Sequence, residues 1–318
     1  MKKQSITLLT LLALAAALTV GCGDSHVPTF TRVPFVSDRT VNAEVFTMNL
    51  DGTDVTPVPF DVSGIYSPSI SADFKTVVFT SSSEVWSSNA DGTNQTQLTS
   101  NADSGSYSYY AKISPNGKKI VYGLWDGSTY TFWIMNVDGT GKVNLTATLP
   151  EGMNGCFTGS FSADSSLVAF ACYGDAAYGL YLVHPDGTHT TTVATQSAFL
   201  DTPMFSPNGK QILFVSFGGP ANAARNPGIP HARAAHSHAA PGTIASLQGI
   251  VSINLDGSNA TVVVPDAFEA EILNSTLYYT FWDSDLGLDQ IYKAGLDGSG
   301  AVSISDASAD DWLGLSSD

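Results

Sequence analysis

Charge is scarce in this 318-residue chain: Asp, Glu, Lys and Arg make up 13%, and the basic share is the smaller, 13 Lys and Arg against 29 Asp and Glu. So acidic a chain has no basic patch with which to displace counterions, which excludes nucleic acid and anionic lipid surfaces as partners. Cysteine occurs three times, too seldom for a disulfide-stapled scaffold. Beyond residue 25 no segment sustains the 3.6-residue apolar period, which excludes helical bundles and alternating α/β folds. The signatures of common catalysts are missing too: no Gly-x-Ser-x-Gly elbow, no His-Glu-x-x-His and no P-loop.

What the chain has is repetition. Asp-Gly pairs stand at Asp51-Gly52, Asp91-Gly92, Asp138-Gly139, Asp186-Gly187, Asp256-Gly257 and Asp297-Gly298. Five positions before each Asp lies Phe46, Trp86, Trp133, Tyr181, Val251 or Tyr292, and two positions after it a Thr or Ser. Apolar strand, then Asp-Gly, then a hydroxyl that bonds back to the turn describes a β-hairpin, because glycine reverses the chain without a Cβ clash. A second turn precedes it in most copies, as Ser71-Ala72-Asp73, Ser114-Pro115-Asn116-Gly117, Ser162-Ala163-Asp164 and Ser206-Pro207-Asn208-Gly209, each followed by a strand-like run. One unit of four strands, A to D, is thus copied six times.

A four-stranded sheet with two apolar faces cannot stand alone, whereas radial stacking lets each sheet cover the next. Ser114-Pro-Asn-Gly-Lys-Lys-Ile-Val-Tyr122, Trp133-Ile-Met-Asn-Val-Asp-Gly-Thr140 and Asn144-Leu-Thr146 resemble the repeat of TolB-like β-propellers, over roughly residues 30 to 318. The resemblance implies an all-β, six-bladed propeller of four-stranded antiparallel blades. It implies no single function, since such propellers serve many roles. Arg32 to Ser37 reads as a B strand lacking its A strand, and Asp311 to Asp318 as an A strand lacking its B. The C-terminal strand is therefore expected to complete the first blade and close the ring.

At the other end, Lys2 and Lys3 precede an apolar run from Ile6 to Val20, too short for a membrane span, and Leu18-Thr19-Val20-Gly21-Cys22 follows. The layout resembles a bacterial lipobox. It implies a signal peptide over residues 1–21, diacylglycerol on Cys22, a lipidated tether over 22–29 and a place in the bacterial cell envelope, at the periplasmic or outer-membrane face. An uncleaved anchor or a secreted chain cut nearby are the other readings. Removal of Lys2 and Lys3 leaves 11 basic residues against 29 acidic, 11 − 29 = −18.

Cys156 and Cys172 flank the A–B turn of the fourth unit symmetrically about Asp164. In a hairpin centred there they oppose one another and form a disulfide in an oxidising compartment, whereas a one-residue slip in register places them on opposite faces as two buried thiols.

Regularity breaks once. Ser114 to Asp138 and Ser162 to Asp186 both span 24 residues, but Ser206 to Asp256 spans 50, so an Ala-, Gly- and Pro-rich insertion occupies about 217–249 between strands B and C of the fifth unit. Half of the six histidines lie in it, as His231, His236 and His238. Imidazoles suit Zn²⁺ and Cu²⁺, which makes the three candidate metal ligands, but no acid or thiol stands near, so no metal site is assigned and a disordered segment or flexible lid is expected. Asp283-Ser-Asp285-Leu-Gly-Leu-Asp289 resembles the opening of a Ca²⁺ loop, but Ala294 stands where the closing Glu belongs, so a plain turn is the reading and neither Ca nor Zn is required as a cofactor.

The B–C and D–A connections share the insertion's face of the ring. They carry Tyr109, Trp125, Asp126, Tyr173, Asp175, Trp282, Asp283 and Asp285, a set able to stack on sugars or grip a peptide unless blade packing consumes it. The expected function is a membrane-anchored, non-catalytic binding scaffold for an envelope protein or glycan, monomeric, with the membrane met only through the lipid. A metal-dependent propeller lyase acting on acidic oligosaccharides is the alternative.

Overall fold

The computed structural model describes residues 32–37, 44–62, 64–101, 105–149, 153–174, 178–196, 199–217, 248–283, 288–305 and 311–313, and every regular element among them is a strand. No helix among them is long and apolar enough to cross a membrane. The strands are β1 (Arg32–Ser37), β2 (Glu44–Asn49), β3 (Thr56–Pro57), β4 (Ile65–Ile70), β5 (Thr76–Ser81), β6 (Glu84–Asn89), β7 (Thr96–Gln97), β8 (Tyr107–Ile113), β9 (Lys119–Trp125), β10 (Tyr130–Asn136), β11 (Val143–Asn144) and β12 (Met153–Phe161). They continue with β13 (Val168–Gly174), β14 (Tyr178–Val183), β15 (Thr191–Gln196), β16 (Leu200–Phe205), β17 (Gln211–Phe217), β18 (Gln248–Asn254), β19 (Thr261–Val264), β20 (Glu269–Leu273), β21 (Thr276–Asp283), β22 (Leu288–Ala294), β23 (Val302–Ser303) and β24 (Asp311–Trp312).

Four sheets hold four strands each, in the orders β24-β1-β2-β3, β4-β5-β6-β7, β16-β17-β18-β19 and β20-β21-β22-β23. The remaining strands form one eight-stranded sheet, β15-β14-β13-β12-β10-β9-β8 with β11 on β10. This departs from the expected four-stranded pattern, and a glycine is the cause. β10 and β12 meet through a single parallel pair, Tyr130 opposite Gly155, and a Cβ on Gly155 would lie 2.8 Å from the Tyr130 Cβ. Without a side chain there, the two backbones come within bridging distance.

Buried apolar clusters join each sheet to the next: Val45 and Val58 pack on Ile65 and Phe79, Val78 and Leu98 on Ala111 and Tyr122, Leu180 and Leu182 on Phe205 and Phe214, and Leu213 and Val215 on Leu277 and Tyr279, while Phe132 and Leu145 pack on Phe161 and Phe170 within the eight-stranded sheet. The run returns to its start, because Leu273, Tyr278 and Ile291 pack on Val33, Phe35 and Met48. The architecture is an all-β propeller. β24 lies against β1, with Val36 opposite Trp312 and Ser37 opposite Asp311, and Leu313 is buried in the same cluster.

The repeated residues explain themselves in the turns. In every copy the aspartate Oδ1 accepts the following Thr or Ser backbone N–H at 2.9–3.0 Å and its hydroxyl at 2.6 Å. The hydroxyl in turn accepts Asn49, Asn89, Asn136 or Asn254 Nδ2, which accounts for the Asn of the motif. The glycines have φ between +79° and +87°. Gly92, Gly257 and Gly298 also abut a carbonyl of the preceding sheet, Pro59, Val193 and Val263, at 2.0–2.4 Å from where a Cβ would sit, so the turn glycine sets the spacing between sheets as well.

These turns make stability depend on acid in a defined direction. Bonds from the neighbouring Thr or Ser hydroxyl and backbone N–H hold Asp51, Asp91, Asp138, Asp186, Asp256 and Asp297 below the ordinary carboxyl value of 3.8. Asp126 lies lower still, at about 2, through Thr129 and Ser128. A depressed folded value stabilises the fold above the unfolded one and is lost as pH falls through the folded one. The melting temperature should therefore be insensitive to these groups down to about pH 5 and fall between about pH 4 and 2, and Asp126→Asn should remove part of the fall. A melting temperature that rises on acidification would contradict this.

Candidate ligand face

β8, β9 and β10 run out onto the face of the B–C and D–A connections, and there their aromatic ends converge. Tyr130 is the hub: its ring centroid is 4.3 Å from Trp125, 5.7 Å from Tyr109, 6.3 Å from Tyr107 and 6.4 Å from Tyr173. Its hydroxyl lies 2.8 Å from that of Tyr107, and the Tyr109 hydroxyl donates to the Cys156 carbonyl at 3.0 Å. The cluster continues towards β16 and β17, where Phe199 stacks edge-on to Tyr178 and packs on Phe217.

Two strand glycines make the arrangement possible. Gly123 is opposite Tyr109 in register, and a Cβ there would stand 2.3 Å from the Tyr109 ring; on Gly155 it would stand 2.6 Å from the Tyr173 ring. Each ring therefore lies flat over bare backbone. Desolvation, reinforced by the neighbouring phenols, pushes Tyr109, Tyr130 and Tyr173 above the usual tyrosine value, so at neutral pH they are uncharged hydroxyl donors and acceptors. Tyr107, Tyr109, Trp125 and Tyr173 remain half-buried, whereas Tyr130 is buried at 6%.

Of the residues the sequence nominated, Tyr109, Trp125 and Tyr173 are brought together here. Asp126 is next in chain, but its carboxylate is occupied by its own turn, accepting Ser128 and Thr129 backbone and hydroxyl groups at 2.8–3.1 Å. Trp282 and Asp283 end β21 in a different sheet, with Asp283 bonded to Tyr292. Asp175, Asp285, Cys22, His231, His236 and His238, the proposed signal peptide and the tether lie outside the described residues. Tyr130 was not nominated, although its position opposite Trp125 across the B–C turn was the available signal. Cys156 and Cys172 oppose one another in register and form a disulfide of 2.01 Å, buried beneath this cluster.

Toward the axis, the first strands of several units carry bulges. Register shifts fall between Tyr66 and Ser69, Tyr109 and Lys112, and Asp201 and Met204, and Ser67, Tyr110 and Thr202 take φ of +49°, +49° and +44°. Positive φ is unusual for so bulky a residue as tyrosine. It swings Tyr110 into the axial cavity beside Thr202, where burial, then Asp201 and Glu269, push its phenol well above the ordinary value. Among the described residues no group of three His, Cys, Asp or Glu side chains is placed to hold a metal.

No protein-family model matches the chain, and no curated protein matches it either. Solved structures do. TolB from Acinetobacter baumannii superposes with a TM-score of 0.66 at 12% identity over 89% of this chain, and the chain spans 65% of that protein's length. A chain of a nidogen/laminin complex gives 0.63 at 13% identity over 89% of this chain and 96% of that one. An oligogalacturonate lyase in complex with manganese gives 0.51 at 12%, over 84% and 88%. At these identities the likeness is one of fold.

Proposed function

We propose that the protein is a six-bladed, lipid-anchored propeller of the bacterial envelope that binds a protein or glycan without chemistry of its own. The blade count rests on six copies of the turn motif, with the eight-stranded sheet taken as two blades joined at Gly155. The envelope location rests on the Cys22 lipobox and on the fold likeness to TolB. The observation that carries the binding role is the aromatic cluster around Tyr130: half-buried rings and neutral phenols suit stacking on a sugar or packing on a partner's side chains.

The test is direct binding of the full chain to envelope glycan fragments and to purified envelope proteins, with Trp125→Ala and Tyr173→Ala beside the unaltered chain. Loss of one anchoring ring should weaken the true ligand about tenfold or more while the variants remain folded by circular dichroism. Equal binding by the variants would remove the face from consideration. The lyase alternative draws on the likeness to the manganese-bound oligogalacturonate lyase, and chelator-sensitive cleavage of acidic oligosaccharides would establish it instead.

A further inference from the structure

On the opposite face, where the A–B turns converge, the axis opens into a pit rimmed by Pro115, Ala163, Pro207 and Asn274. Its charged lining among the described residues consists of one cation and one anion, Lys112 on β8 and Glu271 on β20. The two are 159 positions apart, and Lys112 Nζ lies 2.5 Å from Glu271 Oε2, so the ion pair spans the axis. The same two residues also line the smaller void beside Tyr110, so the pair stands between the pit and that void. Elsewhere the wall is largely carbon, from Ile70, Ile113, Phe205 and Leu273.

We infer that this pit binds a small zwitterion, an α-amino acid with an apolar side chain. Lys112 Nζ has three donors and Glu271 four acceptor sites, and the bond between them uses one of each. The pair is still partly open, with side-chain exposures of 15% and 33%. A ligand whose carboxylate and ammonium lie about 3 Å apart on one carbon framework matches the separation of the two protein charges, head to tail. Its carboxylate takes a free Lys112 donor while its ammonium meets the free Glu271 oxygen, so four charges form a closed square and the existing pair stays intact. A net-neutral pit favours a net-neutral ligand, because an anion or cation alone would leave one charge uncompensated away from water. The ligand's side chain then covers the carbon wall.

Isothermal titration of the full chain with leucine, N-acetyl-leucine and leucinamide tests this. Leucine should bind saturably, with Kd of about 1 mM or tighter. Each blocked analogue, lacking one charge, should bind at least about tenfold more weakly. Lys112→Met combined with Glu271→Met should abolish binding, and so should Ala163→Trp, which narrows the mouth and leaves the ion pair alone; Val302→Ala, on the exposed edge strand β23, should leave it unchanged. No saturable heat with leucine, equal affinity for N-acetyl-leucine, or binding that survives in both folded pit variants would overturn the assignment.

Discussion

Removal of residues 310–318 should lower the melting temperature by roughly 10 °C and broaden the transition. The deletion takes away β24, which pairs Trp312 with Val36 and Asp311 with Ser37, and Leu313, which is 4% exposed among Val33, Phe35, Leu273 and Tyr278. Burial of a leucine contributes about 2 kcal/mol. Glu269, itself 3% exposed, also loses one of its partners, because its Oε2 accepts the Leu313 N–H at 3.1 Å beside the Thr280 hydroxyl at 2.9 Å. Charge-assisted bonds of this kind are worth about 2 kcal/mol. With the exposed edge of β1 added, the loss reaches about 5 kcal/mol, and a domain this size shifts by about 2 °C for each. Glu269→Gln, which keeps the shape and removes the charge, should reproduce a smaller part of the drop. A melting curve unchanged by the deletion would mean that β24 is not what closes the ring.

Breaking the disulfide should cost about 3 kcal/mol, the value for a loop near its 16-residue separation, and lower the melting temperature by about 6 °C. The measurement compares thermal unfolding with and without reductant, and of Cys156→Ala with Cys172→Ala in one chain. The pair joins β12 to β13 where β12 is irregular on both sides, with register shifts between Met153 and Gly155 and between Cys156 and Thr158. The irregular stretch therefore lies at the disulfide itself, and the Cys156 carbonyl is the acceptor for Tyr109. The double variant should therefore also weaken any ligand of the aromatic face, through displacement of Tyr109. Equal melting of the reduced and oxidised chains would show that the sheet holds its register unaided.

How much of the structure is legible in the residues depends on the range of the interaction. The Asp-Gly-Thr turns were legible because donor and acceptor are two positions apart, and all six form as their spacing requires. The closing strand was legible because its missing partner stood at the other end of the chain, and β24 pairs with β1. The cysteines were legible only up to one residue of register. The bulges beside Cys156 are the sort of irregularity that turn positions alone do not set. Among the candidate face residues, Tyr109, Trp125 and Tyr173 share a cluster, but the hub Tyr130 was missed and Asp126 proved to be engaged in its own turn.

By itself the sequence determined the repeat, the turns and the all-β character, since each follows from chemistry within a few residues: a positive φ that glycine accepts, a hydroxyl within reach of a carboxylate, an apolar strand on either side. Tertiary structure alone decided what meets at the axis. Lys112 and Glu271, Tyr110 and Glu269, and the Leu313 N–H and Glu269 are neighbours only because the sheets curve back on themselves and the bulges turn particular side chains inward. Curvature and bulge position are sums over many packed contacts, so no local spacing in the chain encodes them.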